Sequence, residues 1–138
     1  MLALYVEDPS PAGMTLEKIR RTLDAYARDP VRGVVVVMER EGAPAGYALV
    51  ASFWSNELGG EIAVVDELWV ERAHRGHGVA TWFVRALAAG EVPWFNGAVA
   101  LELEVTPTNA RARALYERLG FQPKKNATLR LVRAPGSS

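Results

Sequence analysis

The sequence predicts an α/β fold, a mixed sheet with helices packed on it, in the order β-α-β-β-β-α-β-α-β. Three observations carry this. The apolar runs Val34 to Arg40, Ala45 to Trp54 and Ile62 to Val70 are separated by short turn-forming segments, which reads as successive hairpins. An amphipathic helix then stands between Val70 and the extended run that starts at Ala98, and a helix in that place implies a parallel crossover. Two further segments carry apolar residues at the three- and four-residue spacing of a helix face.

In chain order, Leu2 to Val6 reads as a first strand, and Asp8 to Gly13, rich in Pro, Ser and Gly, as a loop. Thr15 can cap a helix over Leu16 to Arg28 with Leu16, Ile19, Leu23 and Tyr26 on one face; Asp29-Pro30 ends it. The strand Val34 to Arg40 turns at Glu41-Gly42-Ala43-Pro44 into Ala45 to Trp54. Ser55 to Gly60 turns that into Ile62 to Val70, with Ile62, Val64, Asp66, Leu68 and Val70 expected on one face. A helix follows from about Gly76 to Ala89, its stripe Val79, Trp82, Phe83, Ala86 and Leu87. Ala98 to Val105 is a strand with Val99, Leu101, Leu103 and Val105 on one side, Glu102 and Glu104 on the other. Thr108-Asn109 caps a helix to Leu119, its face Ala112, Leu115, Tyr116 and Leu119, and Gly120 stops it. Thr128 to Val132 is a last strand. Residues 1–133 are expected to form a single domain, and Ala134 to Ser138 a flexible tail.

Bulk chemistry removes several function classes. The 138 residues suffice for one domain with a core, and 16 basic against 16 acidic side chains give no overall field for nucleic acid or an anionic membrane. There is no cysteine, hence no disulfide, thiolate metal site or cysteine nucleophile. His74 and His77 share one loop and would need further ligands for a metal; none is expected. The N-terminus lacks a signal peptide's pattern and no apolar run reaches the ~18 residues of a membrane span. The expectation is a cytoplasmic protein.

Two constellations carry chemistry. Arg75-Gly76-His77-Gly78-Val79-Ala80 opens a helix. Its glycines strip side chains from the turn, so backbone N–H groups and the helix dipole can seat an anion such as a phosphate. A P-loop's Gly-Lys-Ser/Thr is absent. A dinucleotide fingerprint would need glycine where Thr81 stands, and Glu71 to His74 intervene after the strand. An Arg-x-x-Gly-x-Gly/Ala turn fits at Arg75, Gly78 and Ala80. The second constellation is Asn109 to Phe121, where Asn109, Ala112 and Tyr116 line one helix face and the Tyr116 phenol can donate a proton.

Together, and with Asp66-Glu67-Leu68-Trp69-Val70, these motifs resemble the GNAT superfamily of acetyl-CoA-dependent N-acetyltransferases. The pattern covers roughly Tyr47 to Phe121. The resemblance implies a central sheet of about six to seven strands and acetyl-CoA as cosubstrate. It places the backbone of Gly76, His77, Gly78, Val79 and Ala80 around the coenzyme A pyrophosphate, with Thr81 as a hydroxyl contact and Arg75 adding charge or shaping the loop. Leu68, Trp69 and Val70 would pair with the pantetheine arm, one N–H, at Leu68, serving as oxyanion donor. Asn109, with Ala112 on its face, would bind pantetheine, and Tyr116 would protonate the departing thiolate. For the general base, Asp66 ranks first, because polyamine-acetylating relatives use an acid there; Glu104 and then Glu67 follow, with Glu102 a further strand acid. Glu67 points away if the strand is regular, and a bulge would change that. An aromatic-plus-acid segment, Phe53 to Glu57, could recognise a cationic amine or be a packed turn. His77 is expected to face solvent without a catalytic role.

The expected function is acetyl transfer to a primary amine of a small polyamine-like or amino-acid-like molecule, by direct attack. Alternatives are a protein N-terminus or lysine as acceptor, or a catalytically silent acyl-CoA-binding regulatory domain. Homodimers are common in the family, although no segment here specifies one.

Overall fold

The β-branched runs form an antiparallel meander. In the computed structural model, β1 (Gly33–Arg40), β2 (Ala43–Ser55) and β3 (Gly60–Val70) pair in sequence, and β4 (Ala100–Leu103) adds to β3 in parallel. The sheet order is β1-β2-β3-β4. The structure describes residues 1–134 and falls into two compact units, Met1–Thr106 and Pro107–Ser138. The whole sheet belongs to the first unit, with α1 (Leu2–Glu7), α2 (Leu16–Arg28) and α3 (Val79–Ala88); the second holds α4 (Ala110–Arg118). The α/β class with a mixed sheet and flanking helices therefore stands, with four strands assigned among the described residues.

Local chemistry explains the helices. The Thr15 Oγ1 accepts from the Lys18 N–H at 3.2 Å, satisfying one donor that the first turn of α2 leaves open. On the sheet-facing side of α2, Ile19 and Tyr26 are half-buried, while Leu16 and Leu23 stay exposed. A Cβ on Gly33 would stand 2.9 Å from the Tyr26 Cζ, so glycine here lets α2 lie directly on the sheet. With α1 and α2 on that face, α3 closes the other, packing on β1 and β3 and burying Val79, Phe83, Val84 and Leu87.

Three expectations need correction. Leu2 to Val6 is helical, not a strand: the Asp8 N–H donates to the Leu4 carbonyl at 2.8 Å. Leu-Ala-Leu-Tyr-Val is apolar at every position, so it carries neither a period of two nor one of 3.6. Thr128 to Val132 joins no ladder. Its Leu129 and Leu131 are 93% and 90% exposed, so β-propensity without a partner strand makes no sheet. Trp82 is 60% exposed rather than core. At about 100° per residue, Val79, Phe83, Val84 and Leu87 centre one arc, and Trp82 lies about 125° from it. The observed element order is α-α-β-β-β-α-β-α. Of the expected tail, residues 135–138 lie outside the described residues.

No helix among the described residues is long and apolar enough to cross a membrane.

Candidate active site

The site grows from one irregularity in β3. Leu49 of β2 pairs with Glu67 and the next residue, Val50, pairs with Val65, so Asp66 is an extra residue, a β-bulge. The partners show what this does to the faces. Ile62, Val64, Glu67 and Trp69 oppose Phe53, Ala51, Leu49 and Tyr47, all odd-numbered on β2 and hence on one side. Ala63, Val65, Leu68 and Val70 oppose Ser52, Val50, Ala48 and Gly46 on the other. The expected row Ile62, Val64, Asp66, Leu68, Val70 is thus broken at the bulge. Glu67, expected to point away, shares the face of Ile62 and Val64, while Asp66 is exposed at the bulge itself.

Glu67 meets a cluster of phenols. The Tyr47 hydroxyl donates to its Oε1 at 2.9 Å, and Tyr5 of α1 hydrogen-bonds to the same carboxylate. Tyr26 of α2 feels both Glu67 and Asp66. Burial raises the Glu67 carboxyl above its ordinary range, against the phenol hydrogen bonds, which favour the ionised form; the neighbouring Asp66 adds to the rise. The phenols respond in kind. Burial, then the Glu67 and Asp66 charges, push Tyr5 up to about 12. Burial and Glu67 raise Tyr47 as well. Tyr5 and Tyr47 therefore remain protonated donors through the neutral range. Tyr5 and Tyr47 carried no motif, and only the fold brings them to Glu67.

The bulge also ends the ladder to β4, which runs from Ile62 opposite Ala100 to Val65 opposite Leu103. Beyond it, β3 keeps its β2 partner through Gly46 opposite Val70, and the residues Glu67 to Val70 have no strand on the β4 side among the described residues. Glu102, opposite Val64, shares the Glu67 face; Glu104 lies past the end of β4 and is exposed. Trp69 stacks at a tilt on Tyr47, with centroids 6.2 Å apart, and its buried Nε1 has no partner among the described residues.

After β3 a short 3₁₀ turn, Arg72–His74, leads into the glycine turn. Gly76 and Gly78 have φ of +79° and +75°, the left-handed region that glycine enters without a steric cost. Gly78 is the N-cap of α3, and no side chain caps that helix. The arrangement leaves first-turn N–H groups for an anion. Arg75 shapes this loop: its Nη2 donates to both Glu7 oxygens, at 2.9 and 2.7 Å, and its Nε to the Val70 carbonyl at 2.8 Å. Its guanidinium also lies 5.8 Å from the Trp69 ring centroid. His77 is exposed, as expected, and its ring also takes a hydrogen bond. Arg40 of β1 reaches Nδ1 of His77 at 3.2 Å and of His74 at 3.5 Å, and since a guanidinium only donates, both rings accept there. No group of three or more His, Asp or Glu side chains among the described residues could hold a metal ion.

In the second unit, the Asn109 Oδ1 caps α4 by accepting from the Ala112 N–H at 3.1 Å. Ala112, Leu115, Tyr116 and Leu119 are half-buried on one face, as the spacing requires. Tyr116 meets Phe121 edge to face at 5.8 Å, and burial raises its phenol. In the Phe53 to Glu57 segment, Phe53 and Trp54 are exposed on β2, and the Ser55 Oγ accepts from the Leu58 N–H.

Comparison with known proteins fits this geometry. The sequence pattern of the Acetyltransferase (GNAT) family matches residues 1–121, across both units. A mycothiol acetyltransferase of Beutenbergia cavernae is 33% identical over 121 residues, which are 86% of this chain and 38% of that protein. The chain thus spans less than two fifths of that relative's length. A possible acetyltransferase from Clostridium difficile superposes with a TM-score of 0.77 at 17% identity, covering 96% of this chain and 86% of the other. A ribosomal-protein-alanine N-acetyltransferase from Brucella melitensis gives 0.64 at 20%, covering 96% and 88%. At these identities the two structures speak for the fold alone.

Proposed function

The chain belongs to the GNAT acetyltransferase family, and we propose that it moves acetyl from acetyl-CoA to a primary amine of a small molecule. The placement of Glu67 carries the reading. An alkylammonium with a pKa of ~10.4 must lose a proton before it attacks, and a carboxylate raised by burial is a better acceptor than one in water. Glu67 has that raised carboxyl, two phenols to orient it, and a position where β3 leaves β4. It therefore replaces Asp66 as our first choice of base. The exposed Asp66 adds negative charge that favours a cationic acceptor, and Glu102 stands further along the same side.

In this reading the amine loses its proton to Glu67 and attacks the thioester carbonyl, whose oxygen is held by the Leu68 N–H. The tetrahedral adduct, whose nitrogen still carries two hydrogens, sheds one as a proton to water and collapses to the amide and coenzyme A thiolate; the Tyr116 phenol protonates the sulfur and is itself reprotonated from water. A thiol pKa near ~8.5 makes that leaving group adequate without a metal. The N–H groups of Gly76 to Ala80, with Thr81, take the pyrophosphate. Leu68, Trp69 and Val70 run along the pantetheine arm, and the family resemblance gives Asn109 and Ala112 a share in binding it. A small acceptor is favoured because the 33%-identical relative is named for mycothiol rather than for a protein.

The test is thiol release from acetyl-CoA with polyamines, amino acids and peptides, for the wild type and Glu67→Gln. We expect turnover with a small amine and at least a hundredfold loss in the variant, at unchanged coenzyme affinity. Turnover with peptides alone would move the acceptor to proteins. Coenzyme binding with no thiol released from any amine would leave a silent acyl-CoA-binding domain.

A further inference from the structure

The first helix has no core of its own. α1 is six residues long, buries none of them, and no side chain caps it. A helix this short is marginal in water on its own, so its place depends on what its side chains grip. Two of them grip different elements. Tyr5 hydrogen-bonds to the Glu67 carboxylate of β3. Glu7 accepts from the Arg75 Nη2 on both its oxygens, at 2.9 and 2.7 Å, with the Arg72 Nη2 at 4.0 Å. At 3.6 residues per turn the two residues stand about 200° apart around the helix. One side of α1 thus holds the loop of the glycine turn and the other the bulged part of β3. We propose that Glu7 is a positioning residue: its grip on Arg75 holds α1 so that the Tyr5 hydroxyl meets Glu67, and the acceptor's base is set from the loop that seats the donor. The inference rests on the reading of Glu67 as the base.

Arg75 is fixed before it meets Glu7. Its Nε donates to the Val70 carbonyl at 2.8 Å, and its guanidinium lies 5.8 Å from the Trp69 ring centroid, so it is anchored to the end of β3. The Arg75 and Glu7 side chains are 39% and 35% exposed, so solvent screens their attraction and the pair adds little to global stability. What it fixes is a position. The groups that face the Tyr5 phenol are Glu67 and Asp66 from β3, Tyr47 from β2 and Asp8 just after α1. Tyr26 from α2 and the Met1 amine act on the same carboxylate. Tyr47 reaches Glu67 from β2 and does not depend on α1. Of the two phenol bonds to Glu67, that of Tyr5 alone runs through the grip of Glu7.

The experiment is an NMR titration of carbon-labelled tyrosine rings in the whole chain, carried to about pH 11, past the ordinary phenol value. Proteins are the wild type, Glu7→Ala and Glu7→Gln, with Tyr5→Phe and Tyr47→Phe to assign the signals and thermal melting to check each fold. Thiol release from acetyl-CoA with a small amine is measured on the same set. In the wild type Tyr5, pushed up to about 12, should stay protonated. In Glu7→Ala it should titrate near its ordinary ~10, with Tyr47 still silent. Glu7→Gln keeps one acceptor for Arg75 and should fall between; a direct effect of the lost charge would move both variants alike and overturn the inference. In Glu7→Ala, kcat/KM should fall about tenfold with coenzyme affinity no weaker, and adding Tyr5→Phe should cost nothing more. If Tyr5 stays protonated in a folded Glu7→Ala, or titrates together with Tyr47, the inference is wrong and the base reading survives. If Glu67→Gln turns over as the wild type does, the base reading falls and the role of Glu7 with it.

Discussion

Tyr47→Phe isolates the hydrogen bond that holds Glu67. The substitution removes one oxygen from a residue that is 8% exposed and keeps its ring against Trp69, so packing is largely preserved. What is lost is a 2.9 Å O–H donor to a half-buried carboxylate. Such bonds to charged groups are worth about 1.5–3 kcal/mol. Glu67 is only half-buried and keeps Tyr5, so solvent and the second phenol recover part, leaving about 1–1.5 kcal/mol. The donor favours the ionised carboxylate, so its removal raises the Glu67 pKa further. At 1.36 kcal/mol per unit, the rise is about one pH unit. The assay is thiol release as kcat/KM against pH, which reports groups of the free enzyme. The acid limb should move up by about one unit, with the alkaline limb in place, and the plateau should fall only a few-fold. An acid limb that does not move, in a variant whose melting curve matches the wild type, refutes the assignment of that limb to a Tyr47-bound Glu67.

The remaining expectations concern stability and the other groups. Burial raises the Glu67 carboxyl in the folded state, so its ionisation opposes folding: the stability present below pH 4.5 falls as pH rises through the raised value. Glu67→Gln should therefore melt above the wild type at neutral pH and alongside it at pH 4; equal melting at both would mean the carboxyl is not desolvated. Tyr116→Phe should lower kcat with coenzyme affinity unchanged, and an unchanged kcat removes Tyr116 from the mechanism. Gly78→Ala meets no atom within 4 Å, so its cost is the left-handed φ of +75° alone, about 1–2 kcal/mol by urea unfolding. Coenzyme binding should weaken in the same variant, and an isoenergetic unfolding curve would show that the turn relaxes.

What was legible in the sequence was what is local. The Thr15 and Asn109 caps, the glycine turn and the apolar face of α4 depend on neighbours within one or two turns, and each stands where the spacing puts it. The hairpins were legible because a short turn between β-branched runs leaves little choice of partner. What depends on a distant partner was not. Nothing in Thr128 to Val132 says whether a strand will lie beside it. The link from Arg75 to Glu7 joins residues 68 apart in the chain, and that from Arg40 to His77 residues 37 apart.

The bulge belongs to this second class, yet it left a trace. A regular β3 would put the charged Asp66 in a row with Ile62, Val64, Leu68 and Val70. Taking Asp66 out of the count gives two consistent rows. Ala63, Val65, Leu68 and Val70 are all apolar and serve the α3 face. Ile62, Val64, Glu67 and Trp69 face the phenols. An acid interrupting an apolar alternation was thus the readable sign of an extra residue. The same count separates two roles that the sequence had merged. Omitting Asp66 leaves every other side chain on its observed face, so the burial of Glu67 does not depend on what Asp66 is. What depends on there being an extra residue is the end of pairing to β4 at Val65. One inserted position both opens a strand edge, the one proposed for the pantetheine arm, and sets a carboxylate beside the place where it opens. In the proposed function, the donor's seat and the acceptor's base would therefore share one structural cause.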